Sequence, residues 1–302
     1  MQFFNKTRRQ AMGVALAVMA SLGTAQARDF SKVEIKTVKL TDTLYVLFGS
    51  GGNIGVSAGP DGVYLIDDQF APLSKKILAA VRKLSDKPIR FVVNTHWHRD
   101  HTGGNENMGK EGATIVAHEN VRKRMTAKHF NPIFDRKTPP APSGAWPQLT
   151  YKDGITLHLN GEHARIVHAP AAHTDGDSFV HFTDANVIHA GDLFFNGIYP
   201  FIDAWSGGSI AGLIVAVDKI LAIAKDDTRI IPGHGPMATR ADLIAYRKML
   251  ETVRGRVAKA KKDGKSATDM VSAGMFKDIE KTWGEGFLNT QKFITVVYEG
   301  MR

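Results

Sequence analysis

The chain contains no cysteine. Disulfides, thiolate-held zinc or iron–sulfur clusters and a cysteine nucleophile are therefore excluded. Any metal centre has to be built from histidine, aspartate and glutamate, and 12 histidines are available. Internal repeats, a Gly-X-Y period and heptad runs are also missing, which excludes fibrous architectures. Acidic residues are the minority, 30 against 39 lysines and arginines, for a net charge of +9. Three of those charges, Lys6, Arg8 and Arg9, sit in the first 27 residues. The rest of the excess is dispersed, with no basic stripe interleaved with aromatics, so no nucleic-acid partner is expected.

What is present is ordinary globular material. Of 302 residues, 43% are hydrophobic and 23% charged, enough for a core in one large or two small domains. Residues 1–27 are set apart from it. Asn5 to Arg9 is a basic start, Ala11 to Gly23 an apolar stretch too short for a comfortable membrane span, and Ala25-Gln26-Ala27 a small-x-small cleavage site. This order predicts a removable export signal, a mature chain from Arg28, a periplasmic or secreted address and no stable membrane anchor.

Residues 28–302 read as one catalytic domain with a helical C-terminal part from about 240. Short β-branched runs occur over 33–48. Two strands flank the turn Gly59-Pro60-Asp61-Gly62, and a helix covers Ala71 to Leu84. Further strands are expected at 89–93, 114–116, 155–159, 165–168, 179–182 and 187–190, and at 229–231, where Pro232 is expected to cut the strand off. Ile210 to Ala224 has the apolar spacing of a helix. Two strand sets, each followed by helices, predict an α/β domain of two packed sheets with helices outside. The proline-rich stretch 130–148 is too long for a plain connection and is expected to be a functional loop or disordered.

The strongest motif is Thr95-His96-Trp97-His98-Arg99-Asp100-His101-Thr102-Gly103-Gly104, directly after a buried strand. His96 and His98 can point to one side of a turning segment, with Asp100 and His101 reaching a second point nearby. Imidazole and carboxylate suit Zn²⁺, and iron or manganese less selectively. A second ion needs more ligands, and His173, Asp192 and His234 each follow an apolar run and lie near glycine. Tyr199, Trp205 and Ser209 lie beyond Asp192, where a substrate can sit, while Trp97 and Arg99 are expected to fix the motif's loop rather than touch substrate.

Taken in order, Asp67 after Leu65-Ile66, the HxHxDH at 96–101, His173, Asp192 and the His234 of Pro-Gly-His-Gly resemble the metallo-β-lactamase superfamily over about residues 33–240. The resemblance implies a four-layer αβ/βα sandwich with two Zn²⁺ per chain at one edge. It implies that His96, His98 and His173 hold the first zinc, that Asp100, His101 and His234 hold the second, and that Asp192 bridges. Asp67 is implied to orient the ligand loop.

Two such ions make a hydrolase without a protein nucleophile, attacking through a metal-bound hydroxide, with Asp100 as the catalytic group that orients it. The expected substrate is a small molecule with a β-lactam, lactone or ester bond. Phe195 stands where one subclass of β-lactamases carries a substrate-binding lysine, so weak β-lactam binding is expected. The motif also resembles hydroxyacylglutathione hydrolase, a thioester hydrolase of the glyoxalase II type. A persulfide dioxygenase with one iron, and a non-enzymatic metal-binding accessory protein on the same fold, are the other readings. Substrate contacts and oligomeric state are not legible.

Overall fold

Alternate residues of the strand Gly62–Ile66 face opposite ways, as the two-residue period of a strand requires. Val63 and Leu65 join a core with Leu73, Ile77, Val81 and Met108 from the helical side. Tyr64 and Ile66 join a different core with Ile166, Val180, Phe182 and Ile231. A strand buried on both faces is the central layer of a stack, and the topology bears this out.

The computed structural model describes residues 29–301. The export segment expected at 1–27 lies outside the described residues. The first half runs through β1 (Lys36–Lys39), β2 (Leu44–Phe48), β3 (Ile54–Gly59), β4 (Gly62–Ile66), α1 (Ser74–Arg82), β5 (Ile89–Asn94), α2 (Arg99–Thr102), α3 (Asn105–Lys110), β6 (Thr114–His118), α4 (Glu119–Met125), β7 (His129–Asn131), β8 (Arg136–Thr138) and β9 (Leu149–Tyr151). The second runs through β10 (Gly154–Leu159), β11 (Glu162–His168), β12 (Ser178–Phe182), β13 (Val187–Phe195), α5 (Ile210–Ile223), β14 (Arg229–His234), α6 (Arg240–Lys262), α7 (Ala267–Ser272), α8 (Lys277–Trp283) and α9 (Thr290–Gly300).

The first sheet has the order β1-β2-β3-β4-β5-β6-β9 and the second the order β10-β11-β12-β13-β14. β4, β5, β6 and β9 are parallel neighbours joined by crossovers, whereas β10 to β13 form an antiparallel meander. The inner faces meet in one core. α5, α6 and the C-terminal helices cover the outer face of the second sheet, with Leu213, Val217, Leu243, Tyr246, Leu250 and Phe293 buried there. The α/β sandwich expected from the sequence is therefore the fold observed.

One expectation needs correction. Pro232 does not end the last strand, which continues to His234. β14 is an edge strand, and the ladder shifts register between His189 and Gly191 and again before Phe195, so a residue without an N–H fits at the irregularity. In the stretch 130–148, expected to be a functional loop or disordered, β7 and β8 form a hairpin and Ser143–Ala145 makes a 3₁₀ turn. Asn105 Nδ2 donates to the Ala145 carbonyl at 2.9 Å, which fastens that turn to the segment after the histidine motif.

Candidate metal centre and substrate cleft

The site is assembled where strands end. The HxHxDH segment follows β5 and turns into α2, His173 lies between β11 and β12, Asp192 lies within β13, and His234 closes β14. Asp192 is not at a strand end as expected. The left-handed backbone of Gly191 (φ 52°) kinks β13 just before it, at the register shift. A side chain at Gly191 would meet Thr95 Cβ at 2.7 Å, so this crossing of the two sheets requires glycine.

All seven expected ligands come together in two groups, His96, His98, His173 and Asp192 in one and Asp100, His101 and His234 in the other, each compact enough to hold a metal ion. Asp192 stands between them. Its Oδ2 is 3.4 Å from His173 Nε2 and 3.7 Å from His96 Nε2, and its Oδ1 is 3.1 Å from His101 Nε2 and 3.4 Å from His234 Nε2.

The far nitrogens of the rings decide where the lone pairs point. Asp67 Oδ2 accepts from His101 Nδ1 at 2.8 Å, and the Phe201 carbonyl accepts from His173 Nδ1 at 2.6 Å. Asp203 Oδ2 accepts from His98 Nε2 at 3.1 Å. Thr95 donates its hydroxyl to Asp67, leaving its oxygen to accept from His96 Nδ1 at 3.1 Å. With those nitrogens protonated, His101 Nε2, His173 Nε2, His98 Nδ1 and His96 Nε2 carry lone pairs facing the cluster, the arrangement that metal ligation uses. His96 Nε2 is buried without a hydrogen-bond partner, and His98 Nδ1 lies only 2.9 Å from His173 Nε2. Lone pairs packed this closely are stable only around a cation or a proton, so the donor set fits metal ions.

Charge balance points the same way. Burial pulls the His234 imidazole down, but Asp192 and Asp100 outweigh it and hold the ring at about 9. His101 is likewise raised against burial by Asp192, Asp67 and Asp100. Burial pushes His173 down to about 4. Asp100 is kept well below the usual carboxylate range despite burial, by His101 and His234. The carboxylates of the second group thus favour protons on His101 and His234 that an arriving cation would replace, while burial favours the neutral rings of His96 and His173.

Asp67 earns its place through backbone as well as side chain. Its φ of 64° turns the chain at the end of β4, and its Oδ1 accepts from the Thr95 amide at 2.7 Å. It is fully buried and so binds the motif loop to β4. Asn53 performs the corresponding task for His234: its Nδ2 donates to the Pro232 and Gly235 carbonyls, both at 2.9 Å.

Above the cluster opens a cleft of about 490 Å³. Its walls include Phe70, Phe134, Phe195, Ile198, Phe201 and Phe287, while His98, Asp100, Asp192 and His234 are exposed to it. Phe195 stacks on His234 with centroids 5.1 Å apart and planes 18° off parallel. Trp97 and Arg99 line the cleft too, as do Asn131, Arg136 and Thr138 of the hairpin. Tyr199 and Ser209 are not there: Tyr199 is buried against Phe293, and Ser209 caps α5 by accepting from the Gly212 amide. Trp205 also lies outside the lining and offers its carbonyl to Arg124. Asp203, Phe134 and Arg136 are site residues that no motif announces.

The chain belongs to the metallo-beta-lactamase superfamily, whose family model matches residues 48–234. Among curated relatives it is 30% identical over 213 residues to a linear primary-alkylsulfatase of a Pseudomonas species, covering 58% of this chain and 40% of that protein. It is 27% identical over 169 residues to a hydroxyacylglutathione hydrolase of a Polaromonas species, covering 54% of this chain and 55% of the relative. The chain thus spans about half the length, or less, of these two relatives. Among solved structures, a metallo-beta-lactamase from Pontibacter korlensis superposes with a TM-score of 0.59 at 16% identity, covering 72% of this chain and 99% of that one. A sec-alkylsulfatase from a Pseudomonas species gives 0.64 at 17% identity over 88% of this chain and 50% of that one. At such identities these structures establish the shared fold.

Proposed function

We propose that the protein is an exported dinuclear zinc hydrolase that cleaves a carbonyl-type bond, a β-lactam, lactone or ester, in a small molecule with an apolar body. The observation that carries this reading is the Asp192 carboxylate, one oxygen toward each ligand group, on the floor of an aromatic cleft. Export rests on the charge and cleavage pattern of residues 1–27. No helix among the described residues is long and apolar enough to cross a membrane.

His96, His98, His173 and Asp192 would hold one zinc, and Asp100, His101, His234 and Asp192 the other. When bound, such a pair supplies a water acidified to near neutrality and an electrophile for the carbonyl oxygen. Asp100 is the catalytic group the chain itself provides. Its Oδ2 lies 3.3 Å from His234 Nε2, is held ionised, and reaches the cleft. It accepts a hydrogen bond from the attacking water, takes its proton as the oxygen–carbon bond forms, and returns it to the leaving oxygen or nitrogen as the old bond breaks. Phe195 and Phe201 exclude water from this exchange and bind the apolar body, at about 0.8 kcal/mol per buried methylene.

A thioester substrate is the second reading, favoured by similarity to hydroxyacylglutathione hydrolases. A sulfate ester enters through the alkylsulfatase similarity. A mononuclear iron dioxygenase leaves the second ligand group without a role. The test is metal content per chain followed by turnover of a chromogenic cephalosporin, a lactone, a 4-nitrophenyl ester, a thioester and an alkyl sulfate, with His98→Ala as the blank. Two zincs with ester, lactone or lactam turnover supports the proposal. One iron, or turnover confined to the thioester or sulfate, overturns it.

A further inference from the structure

The cleft lining combines a cluster of phenylalanines with two arginines. Phe195 ends β13, Ile198 and Phe201 follow it, and Phe287 precedes α9. Trp97 and Arg99 follow β5 and adjoin the β7–β8 hairpin, the Trp97 ring lying 4.5 Å from that of His129. A smaller hollow shared by Trp97, Arg99 and Thr138 places Arg99 beside this hairpin.

Hairpin register explains which side chains turn inward. Asn131 pairs with Arg136 and His129 with Thr138, and alternation puts all four on one face. Asn131, Arg136 and Thr138 line the cleft. Phe130 and Lys137, opposite each other in register, occupy the other face, and Phe130 is 50% exposed. Phe134, near the tip, reaches across to Phe201 and Phe287 at 5.4 and 5.6 Å and fixes the hairpin over the cleft.

Neither the Arg99 nor the Arg136 guanidinium has an ion pair or hydrogen bond among the described residues. The protein's other cleft-facing charges are engaged: Asp100 and Asp192 with histidines, Asp203 with His98 and Ser206. Two unpaired guanidinium groups in a lining that also holds Phe195, Phe201 and Phe287 form a receptor for an anion attached to an apolar body. Phe195 removes a cation from one place in the site, and these arginines supply cations from another.

We propose that the substrate is an amphipathic carboxylate ester or lactone, with its free carboxylate held by Arg99 and Arg136 at the rim and its apolar part against Phe195, Phe201 and Phe287. This rests on the hydrolase reading and adds the substrate's charge and polarity. The scissile carbonyl then lies between its two ends, beside Asp100 and Asp192, which share the cleft lining.

The experiment compares the zinc-loaded enzyme on 4-nitrophenyl hexanoate and on the mono-4-nitrophenyl ester of hexanedioic acid, which has the same carbon chain and a terminal carboxylate. The expected preference for the acid ester is tenfold or more in kcat/KM at low salt. It should shrink in 0.5 M sodium chloride, because exposed guanidinium groups are screened. Arg99→Gln/Arg136→Gln should abolish it through KM, while Arg82→Gln, whose guanidinium pairs with Glu111 elsewhere, should preserve it. Equal or poorer use of the acid ester by the wild type, or an unchanged preference in the double variant, overturns the proposal.

A binding arm separates this from the chemistry. Fluorescence titration compares 1-anilinonaphthalene-8-sulfonate with the neutral N-phenyl-1-naphthylamine. If neither ester turns over while the lactone, lactam and ester panel is also silent, the hydrolase reading fails. Tighter binding of the sulfonate that the double variant loses still supports the anion receptor, and equal affinities overturn it.

Discussion

Asp203 Oδ2 lies 3.1 Å from His98 Nε2, joining residues 105 positions apart in the chain. The same oxygen accepts from the Ser206 hydroxyl at 2.7 Å, so the carboxylate is itself held in place. Burial raises Asp203, but the His98 bond outweighs it and the group stays below its usual range. A fixed anion behind His98 sets the ring's tautomer and aims Nδ1 at the ligand cluster.

Asp203→Ala should weaken metal retention by the His96, His98 and His173 group about 10- to 100-fold. Competition with a chromogenic chelator measures this directly. Asp203→Asn, which can still accept from His98, should lose less. Equal retention by all three proteins would show that His98 orients itself.

His98→Ala should abolish activity and reduce bound metal, whereas His181→Ala should spare both. His181 sits on β12, paired with Arg165 and Ile188, away from the ligand groups. Elemental analysis and a rate assay on the two variants check the contrast.

Two glycines should respond to alanine in opposite ways. A Cβ on Gly233 would fall onto Asp192 Oδ1 and lie 2.7 Å from the Gly191 backbone, so Gly233→Ala should displace the shared carboxylate and cost about 1–3 kcal/mol. Gly255, inside α6 with nothing near its absent Cβ, should gain about 1 kcal/mol as alanine. Urea unfolding of the zinc-free variants measures both signs, and metal content should fall only in the first.

His118 and His168 stack with centroids 3.6 Å apart and planes 7° off parallel, one from each sheet. Burial holds both below the ordinary histidine range, and His168 adds to the effect on His118. Their neutral forms stabilise the fold. That contribution is complete above about pH 6.5, the unfolded value, and is lost as pH falls below it. The stability difference between pH 7.5 and 5.5 should be smaller in His168→Phe, which keeps a flat ring and removes one proton site.

The ligand groups were legible because strong motifs advertise themselves locally: four donors lie between His96 and His101, and His173 and His234 have glycine or threonine neighbours. The strands were legible where apolar runs are unbroken, as in Tyr64-Leu65-Ile66. Asp203 was not, because its meaning comes from a loop folded against a partner far away in sequence. Arg136 looked like one more surface cation in a proline-rich stretch, and only hairpin register turns it inward. Tyr199 misled because an aromatic near a ligand strand can equally serve the helical layer behind it.

The ligand groups straddle the seam between the two sheets: the motif after β5 belongs to the first, and Asp192 and His234 belong to the second. Ions shared across such a seam act as rivets. If ions are held there, their withdrawal by a chelator would remove cross-links between residues 96 and 234, and the stabilisation lost would scale with the logarithm of metal concentration, about 2.7 kcal/mol at a hundredfold excess over Kd. Scarcity of metal in the surroundings would then be felt first as a loosening between the layers, and the protein's lifetime would track metal supply as closely as its catalysis does.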